Sequence, residues 1–301
     1  MCIRDRGLAW PSILAPVLSS QSNIGRRYSS FMIGSTIGWS LGSISMGFLY
    51  SLGGSFLVLI AAGLFYLSSY IIFVYFFPRE YDTIIDTSTK LKEFKKLVRT
   101  LLPLLIAISL ATFSIELAFN VMAVKLHSEI SFVLKNYGVS DKGLEYILYG
   151  FLYGGLVTLL AIPVRIIAGI LVDKYNPILI FMITTVAYIA YIWGLTLSRG
   201  LLTVIIWQIP LYPFYDISIY ASASHYSPLT IKASSAGAVM AAQSIGGLAM
   251  TFMGFVVDIC GLLLTATIMT ICLVLSFTLS YYSLRKVLLQ KTLSPRAFVR
   301  Q

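Results

Sequence analysis

The sequence predicts an all-α, polytopic membrane protein. Of its 301 residues, 58% are hydrophobic and only 11% are charged, and the mean hydropathy is +0.86. A water-soluble globular protein of this size needs more charged side chains at its surface, so the composition excludes this class. Because a helix needs roughly 20 mostly apolar residues to cross about 30 Å of hydrocarbon, the apolar blocks of the chain predict transmembrane helices.

Eight apolar stretches are long enough to span a bilayer. They cover residues 31–52, 56–77, 101–123, 146–172, 178–197, 201–220, 236–257 and 262–284. A ninth block, residues 7–18, is too short to span and is interpreted as the second half of a helix that starts upstream. Residues 1–6 are interpreted as a non-native leader, with an ordinary short cytoplasmic leader as the alternative.

The basic residues predict the orientation of these helices. If the loop that contains Arg26 and Arg27 is cytoplasmic, only four basic residues lie on the opposite side: Lys125, Lys135, Lys142 and Arg199. The cytoplasmic side then holds fifteen: Arg26, Arg27, Arg79, Lys90, Lys92, Lys95, Lys96, Arg99, Lys174, Lys232, Arg285, Lys286, Lys291, Arg296 and Arg300. This positive-inside bias explains the net charge of +10 without a nucleic-acid partner.

One long polar connection, residues 78–100, divides the chain unequally. It is predicted to be a cytoplasmic central loop between a remnant of an N-terminal bundle, residues 7–77, and a six-helix C-terminal bundle, residues 101–284. Residues 285–301 are predicted to be a basic cytoplasmic tail. Within the loop, apolar residues at helical spacing favour a short helix on the membrane surface, with a solvated linker as the alternative: Leu91, Phe94, Leu97 and Val98.

Two distant helices resemble each other in sequence. Met46-Gly47-Phe48 followed by Gly54 recurs 207 residues later as Met253-Gly254-Phe255 followed by Gly261. A basic residue and a serine pair precede each copy, at 27–30 and 232–235. The pattern indicates a duplicated bundle in which the two helices take equivalent positions; chance similarity between glycine-rich helices is the alternative.

A short motif links the repeat to a family. Gly169-Ile170-Leu171-Val172-Asp173-Lys174 resembles the Gly-x-x-x-Asp-Arg/Lys loop of the major facilitator superfamily of secondary transporters. It follows the second helix of the six-helix half, where that family repeats it. The loop continues as Tyr175-Asn176-Pro177, where the family usually has glycine and more bases.

The resemblance implies a two-bundle helical transporter that lacks its first helices, so that the chain runs from part of helix four to helix twelve. Such a protein would move a small solute by alternating access as a monomer in the plasma membrane. Gly169, Asp173 and Lys174 would form a gating loop, in which Asp173 meets the N-terminus of a neighbouring helix, the one near Ser234, and Lys174 anchors in the headgroups. The alternative is that Asp173 merely ends a helix.

Three ionisable residues fall inside predicted spans, where a charge costs roughly 2.5–3.5 kcal/mol. Glu116 shares one helix face with three polar residues: Ser109, Thr112 and Asn120. Asp216 follows Gln208 and Tyr212 at spacings of four and lies beside Tyr215, near two prolines that bend the helix: Pro210 and Pro213. Arg165 is predicted to snorkel or to form a structural ion pair.

In the family, these two helices line a central cavity. Glu116 and Asp216 are therefore predicted to be cavity carboxylates that bind substrate or a coupling proton, since burial favours the protonated form of a carboxyl group. Four more residues are predicted substrate contacts: Asn120, Gln208, Tyr212 and Tyr215. The alternative is that both carboxylates are paired within the bundle and never touch substrate.

Other functions have less support in the sequence. No nucleotide-binding loop argues for ATP coupling. A membrane enzyme acting on lipid-like substrates would need clustered histidines or aspartates, whereas the two histidines, His127 and His225, fall on opposite sides, His225 in a predicted loop. The cysteines suggest no disulfide framework, and no metal or cofactor is predicted. A non-transporting fragment is a further alternative, and the substrate stays open among cations, sugars and amphiphilic drugs.

Overall fold

Helices account for the secondary structure of the chain wherever it is described. The computed structural model describes residues 14, 17, 18, 23–76, 87–139, 141–228, 231–251 and 253–293. Over these residues it contains helices and no strands, which confirms the all-α prediction. The predicted leader 1–6, the first part of the central loop and the end of the basic tail lie outside the described residues.

Nine α-helices follow one another, and a π-helical turn, Phe151–Gly155, joins the third to the fourth within these described ranges. They are α1 Ile24–Phe76, α2 Thr87–Asn136, α3 Lys142–Gly150, α4 Leu156–Lys174, α5 Pro177–Leu197, α6 Leu201–Trp207, α7 Tyr212–His225, α8 Lys232–Thr251 and α9 Met253–Leu293.

Six helical segments among the described residues are long and apolar enough to cross a membrane. They are Ile24–Ile72, Glu93–Asn136, Lys142–Lys174, Pro177–Leu197, Leu201–His225 and Gly261–Lys286. The sequence predicts eight spans, and the difference arises in two places. The described residues of stretches 31–52 and 56–77 lie in α1, and those of stretch 236–257 are divided between α8 and α9.

Two glycines bend the long helices α1 and α9 at equivalent positions of the internal repeat. Gly54 has φ 61° and ψ −158°, and Gly261 has φ 72° and ψ 174°. Both conformations lie in a region that only glycine enters readily. The two bends are 207 residues apart, the offset of the sequence repeat.

Helix α2 is longer than the sequence analysis predicts. It begins at Thr87 and not near Leu101, so that most of the predicted loop 78–100 is helical and continuous with the membrane-spanning part. The reason is that residues 87–100 contain no glycine or proline, and Leu97 and Leu101 bury the same helix face at 8% and 4% exposure.

The predicted bend near Pro210 is a complete break. Helix α6 ends at Trp207, residues 208–211 are not helical, and α7 begins with Pro213 in its first turn. Proline fits that first turn because the N–H it lacks would have no helical partner there. The break places Gln208 between two helices.

Two residues of α2 clamp the connection between α5 and α6. Lys125 Nζ donates hydrogen bonds to the carbonyl oxygens of Leu195, Thr196 and Ser198, at 2.6, 2.9 and 2.7 Å. One turn later, Glu129 Oε2 accepts a 2.6 Å hydrogen bond from Gly200 N, just before α6. The lysine satisfies carbonyls that the end of α5 leaves without helical partners.

Replacing Lys125 with methionine should therefore destabilise the fold. Lys125→Met keeps the length of the side chain but removes the charged donor from three carbonyls, and we expect a loss of about 1.5–3 kcal/mol. Lys135→Met, the same change at an exposed residue of α2, is the control. Thermal unfolding of both purified variants measures the effect, and equal unfolding temperatures would contradict the clamp.

Candidate functional site

Helix α1 packs against α3, the π-helical turn and α4 through small residues. A Cβ atom on Gly25 would lie 2.5 Å from the carbonyl oxygen of Gly169, and one on Gly150 would lie 2.7 Å from that of Ser43. Such short distances require glycine at both positions. Midway along this seam, Ser40 Oγ donates a 3.0 Å hydrogen bond to Gly155 O in the π-helical turn.

The predicted gating loop closes one end of this seam. Asp173 Oδ1 accepts a 2.7 Å hydrogen bond from Gly25 N, and Oδ2 accepts one of 3.0 Å from Arg26 N. The carboxylate thus caps the positive N-terminus of α1. Gly169 lets the two backbones approach, while Lys174 Nζ lies 5.5 Å from the centre of the Tyr175 ring.

The partner of Asp173 corrects the sequence analysis. The expected partner is the helix near Ser234, which begins at Lys232, but the carboxylate binds the N-terminus of α1. These two helices are the two copies of the internal repeat, each with a basic residue and a serine pair at its start. Sequence similarity identifies both candidates equally, and only packing decides between them.

Arg165 forms a buried ion pair with Asp216. Its side chain is 3% exposed, and Nη1 lies 3.2 Å from Asp216 Oδ2. Arg165 Nε donates a 2.5 Å hydrogen bond to Thr36 Oγ1, and Tyr28 Oη donates one of 3.2 Å to Asp216 Oδ1. The ion pair therefore joins α4 to α7, and hydrogen bonds from both of its members extend to α1.

Aromatic residues cover this ion pair. The Tyr212 ring lies 5.1 Å from the guanidinium carbon of Arg165, a cation–π distance. Tyr28 stacks on Tyr220 with ring centres 5.1 Å apart. The structure thus brings together three of the residues that the sequence analysis singles out: Arg165, Tyr212 and Asp216.

The polar residues that share one face of α2 form a stripe, which is divided into a covered and an exposed half. They are Ser109, Thr112, Glu116 and Asn120. Thr112 Oγ1 and Tyr215 Oη share a 2.5 Å hydrogen bond, so the start of the stripe is buried against α7. Glu116 and Asn120 are exposed. Asn120 Nδ2 donates a 2.7 Å hydrogen bond to the carbonyl oxygen of Glu116, which holds the amide beside that turn.

The π-helical turn supplies acceptors to α6. Trp207 Nε1 donates a 2.9 Å hydrogen bond to Tyr153 O, and Gln208 Nε2 donates one of 3.0 Å to Leu152 O. The other amide atom, Gln208 Oε1, is buried and has no hydrogen-bond partner among the described residues. π-helical turns often occur at functional sites, and this one positions Gln208.

A file of aromatic rings joins α3, the π-helical turn, α6 and α2. Tyr149 stacks on Tyr153 at 5.3 Å, Tyr153 stacks on Trp207 at 5.6 Å, and Trp207 meets Phe119 edge to face at 5.9 Å. The sequence analysis missed these aromatics, although tyrosines at 146, 149 and 153 recur at helical spacing and could have indicated them.

The two histidines occupy separate places. His127 Nε2 lies 3.3 Å from Glu145 Oε1, which links α2 to α3. His225, predicted in a loop, is the last residue of α7 and packs edge to face on Tyr226 at 4.9 Å. The described part of the chain contains no group of three side chains able to hold a metal ion.

The exposed half of the α2 stripe is an open face. Two surface grooves lie elsewhere, one between the limbs of α1, lined by residues such as Phe48 and Phe65, and one beside Arg26 and Arg27. Neither is lined by Glu116 or Asp216. We call the exposed residues Glu116 and Asn120 the α2 face. The aromatic file is largely covered, since Trp207 is 2% exposed.

A double-mutant cycle tests the ion pair. Asp216→Leu leaves Arg165 buried without its carboxylate and should cost about 3–5 kcal/mol, as breaking a buried pair generally does. The double variant Arg165→Met/Asp216→Leu removes both charges and should regain most of that loss. Thermal unfolding of the wild type, Arg165→Met, Asp216→Leu and the double variant gives the coupling energy. If the losses of the two single variants simply add in the double variant, the pairing is contradicted.

Comparison with known proteins agrees with this arrangement. A family model described as Major Facilitator Superfamily matches residues 7–251. No curated protein matches the chain. The family match spans well over half of the 301 residues and includes the α1–α4 seam and the Asp173 loop. The chain is therefore an integral, multi-pass membrane protein that belongs to the Major Facilitator Superfamily of secondary transporters.

Proposed function

We propose that this protein moves a small solute across the cell membrane by alternating access, as a monomer in which α1 shifts against the predicted C-terminal bundle, residues 101–284. The observation that carries the proposal is the buried Arg165–Asp216 pair, which contacts α1 through Thr36 and Tyr28. Charges are costly at membrane depth, so a cluster of this kind is generally functional. Members of the family are transporters and not enzymes, and nothing favours the membrane-enzyme alternative.

The seam between α1 and α4 is suited to such a movement. Its polar contacts are few, and each joins a side chain on one helix to a group on the other, as in the hydrogen bond of Ser29 Oγ to Arg165 O at 2.6 Å. Small residues along the seam let the helices slide without interlocking side chains. In this proposal, Asp173 is the latch at the cytoplasmic end.

We further propose that protons drive the cycle through two carboxylates. Protonation of Asp216 would remove the charge that holds Arg165 and weaken the hold of both on α1. Glu116, Asn120 and Gln208 would contact the solute. Tyr212 and Tyr215 would couple binding of the solute to the ion pair, because Tyr212 covers Arg165 and Tyr215 precedes Asp216.

The latch predicts faster access to the seam when Asp173 is neutralised. In a chain without Cys2, Cys260 and Cys272, the variant Ser29→Cys carries a thiol at a position that is 2% exposed. Asp173→Asn should weaken the cap by about 1.4 kcal/mol and so raise the open population about tenfold. The rate at which a water-soluble maleimide labels the introduced thiol measures this population.

The control for this experiment is Asp258→Asn, which neutralises an exposed carboxylate of α9. It should leave the labelling rate unchanged. Equal rates for Asp173→Asn and the unmodified background would show that Asp173 does not hold the seam closed.

Proton coupling predicts the behaviour of the carboxylate variants. In proteoliposomes loaded with the pH-sensitive dye pyranine, a panel of cationic, neutral and anionic solutes should include one that drives proton movement through the wild type. Glu116→Gln and Asp216→Asn should each abolish this movement, because the proton acceptor is lost. Wild-type proton flux in both variants, at equal protein content, would remove these residues from the coupling mechanism.

A further inference from the structure

We propose that His127 is a proton-binding residue that stabilises closure of the α1 seam at the end opposite Asp173, so that acidification closes this end. The proposal rests on the alternating-access function proposed above and adds a regulatory residue to it. Three features of the described residues support it: the position of His127 beside the seam, the groups that contact its imidazole, and the arrangement of the other charges nearby.

The seam between α1 and the helices α3 and α4 is closed at two ends. Asp173 caps α1 at Gly25 and Arg26. At the other end, a Cβ atom on Gly47 would lie 2.7 Å from the carbonyl oxygen of Tyr146. Gly25 and Gly47 belong to the same helix, and at 1.5 Å per residue they are about 33 Å apart, enough to cross the hydrocarbon layer. Alternating access requires these two ends to open in turn, so each end needs its own stabilising contact.

Five side chains from three helices meet at this second end. His127 Nε2 of α2 lies 3.3 Å from Oε1 of Glu145 in α3. The imidazole stacks on the Tyr146 ring, with ring centres 6.3 Å apart, and meets the Tyr149 ring edge to face at 5.1 Å. Tyr146 in turn contacts the Tyr50 ring of α1 at 4.8 Å. The ring that contacts α1 across the seam is therefore one that lies against the imidazole.

The charge of the imidazole determines how strongly these side chains are held together. Histidine side chains generally gain or lose a proton between about pH 5 and pH 8. A protonated imidazole attracts the Glu145 carboxylate and nearby aromatic rings, whereas a neutral one keeps at most a hydrogen bond to the carboxylate. Uptake of a proton by His127 therefore holds Tyr146 in the position from which it contacts Tyr50, and loss of the proton weakens that hold.

Protons from the aqueous phase can reach His127. Its side chain is 39% exposed, and that of Glu145 is 20% exposed. Both residues also lie near the ends of their helices, since α2 ends at Asn136 and α3 begins at Lys142. The pair is therefore close to the connection between two candidate membrane spans, where the chain leaves the hydrocarbon layer.

The charged residues of α2 next to His127 are directed elsewhere. Lys125 and Glu129 are two residues before and after it, about 200° around the helix. Both bind the connection between α5 and α6, and Arg199 in that connection is exposed.

The helices that pack against this side of α2 supply one carboxylate to the imidazole. On α3, Glu145 contacts His127, while the Asp141 carboxylate accepts a 2.7 Å hydrogen bond from Gly143 N and Lys142 is exposed. Helix α1 contributes the Tyr50 ring, and its charged residues, Arg26 and Arg27, lie at the Asp173 end. The protonated imidazole is thus paired with Glu145.

Spin labels on both sides of the seam can measure its closure at each pH. In the cysteine-free background, nitroxide labels are attached to Leu52→Cys on α1 and Leu144→Cys on α3. Both leucines are exposed. They follow Ser51 and Gly143, and a Cβ atom on Gly143 would lie 3.9 Å from Ser51 Cβ, so the two labels are close together when this end is closed.

Electron paramagnetic resonance of the full chain in lipid nanodiscs reports the dipolar coupling between the labels. The coupling should be stronger at about pH 5.5 than at about pH 8. The open population should be roughly two- to fivefold larger at the higher pH, because a partly exposed ion pair contributes modestly to stability.

Three variants assign this response to His127. His127→Gln keeps a polar side chain that does not take up a proton, and it should remove the pH dependence. His127→Lys carries a positive charge at both pH values and should keep this end closed at both. His225→Gln, the control, removes the other histidine and should leave the pH dependence unchanged.

The inference is overturned if the unsubstituted background shows the same dipolar coupling at both pH values. It is also overturned if His127→Gln responds to pH as the background does, if His127→Lys opens at the higher pH, or if His225→Gln abolishes the response. The comparison in the background needs no substitution at residue 127, so it tests the inference even if a variant fails to fold.

These outcomes are distinct from a failure of the transport proposal. Maleimide labelling of the Ser29→Cys variant measures the effect of Asp173 on the seam, and the pyranine assay measures proton movement. If both support the transport proposal while the dipolar coupling does not depend on pH, His127 has no role in closure and the transport proposal stands. If the coupling depends on pH through His127 while labelling does not respond to Asp173→Asn, the latch is wrong and the role of His127 stands.

Discussion

A buried arginine is the constraint on which the rest of this structure depends. Arg165 lies within a candidate membrane span and is almost inaccessible, so its charge must be compensated inside the protein. Asp216 supplies the opposite charge, Thr36 an acceptor and Tyr212 an aromatic face. Together, the arginine and its partners come from three different helices, so the requirement to compensate one charge fixes how α1, α4 and α7 lie against each other.

Features encoded locally could be predicted from the sequence. Apolar stretches identify the helices, and the prolines identify the bend near residue 210. The repeat pairs Gly54 with Gly261, where the structure has equivalent bends. Features that depend on which helices are neighbours could not be predicted from the sequence. The sequence indicates an ion pair for Arg165 without naming its partner, because Asp216 is 51 residues away on another helix. For the same reason the sequence analysis assigns Asp173 to the helix near Ser234, whereas its carboxylate caps α1.

In the candidate site, too, the local pattern could be predicted from the sequence and the packing between helices could not. Helical spacing correctly places Thr112, Glu116 and Asn120 along one side of α2, but it carries no information on where α7 covers that side, and only part of the stripe is exposed. Tyr153 and Trp207 could not be predicted as residues of the site, because apolar and aromatic residues are common in every membrane helix. Their significance comes from stacking across helices and from the π-helical turn, neither of which has a clear sequence signal.

The ion pair also adjoins two of the predicted substrate contacts. Tyr212 covers Arg165, and Tyr215 precedes Asp216 in the chain. Solid-state NMR dipolar recoupling between the ¹⁵N-labelled guanidinium of Arg165 and the ¹³C-labelled carboxyl of Asp216, in lipid bilayers, measures this contact most directly. A separation of 3.2 Å between Nη1 and Oδ2 predicts strong dephasing. The absence of this dephasing in the wild type would contradict the Arg165–Asp216 ion pair. Thr36→Val, which removes the acceptor of Arg165 Nε, is a further check on the position of Arg165.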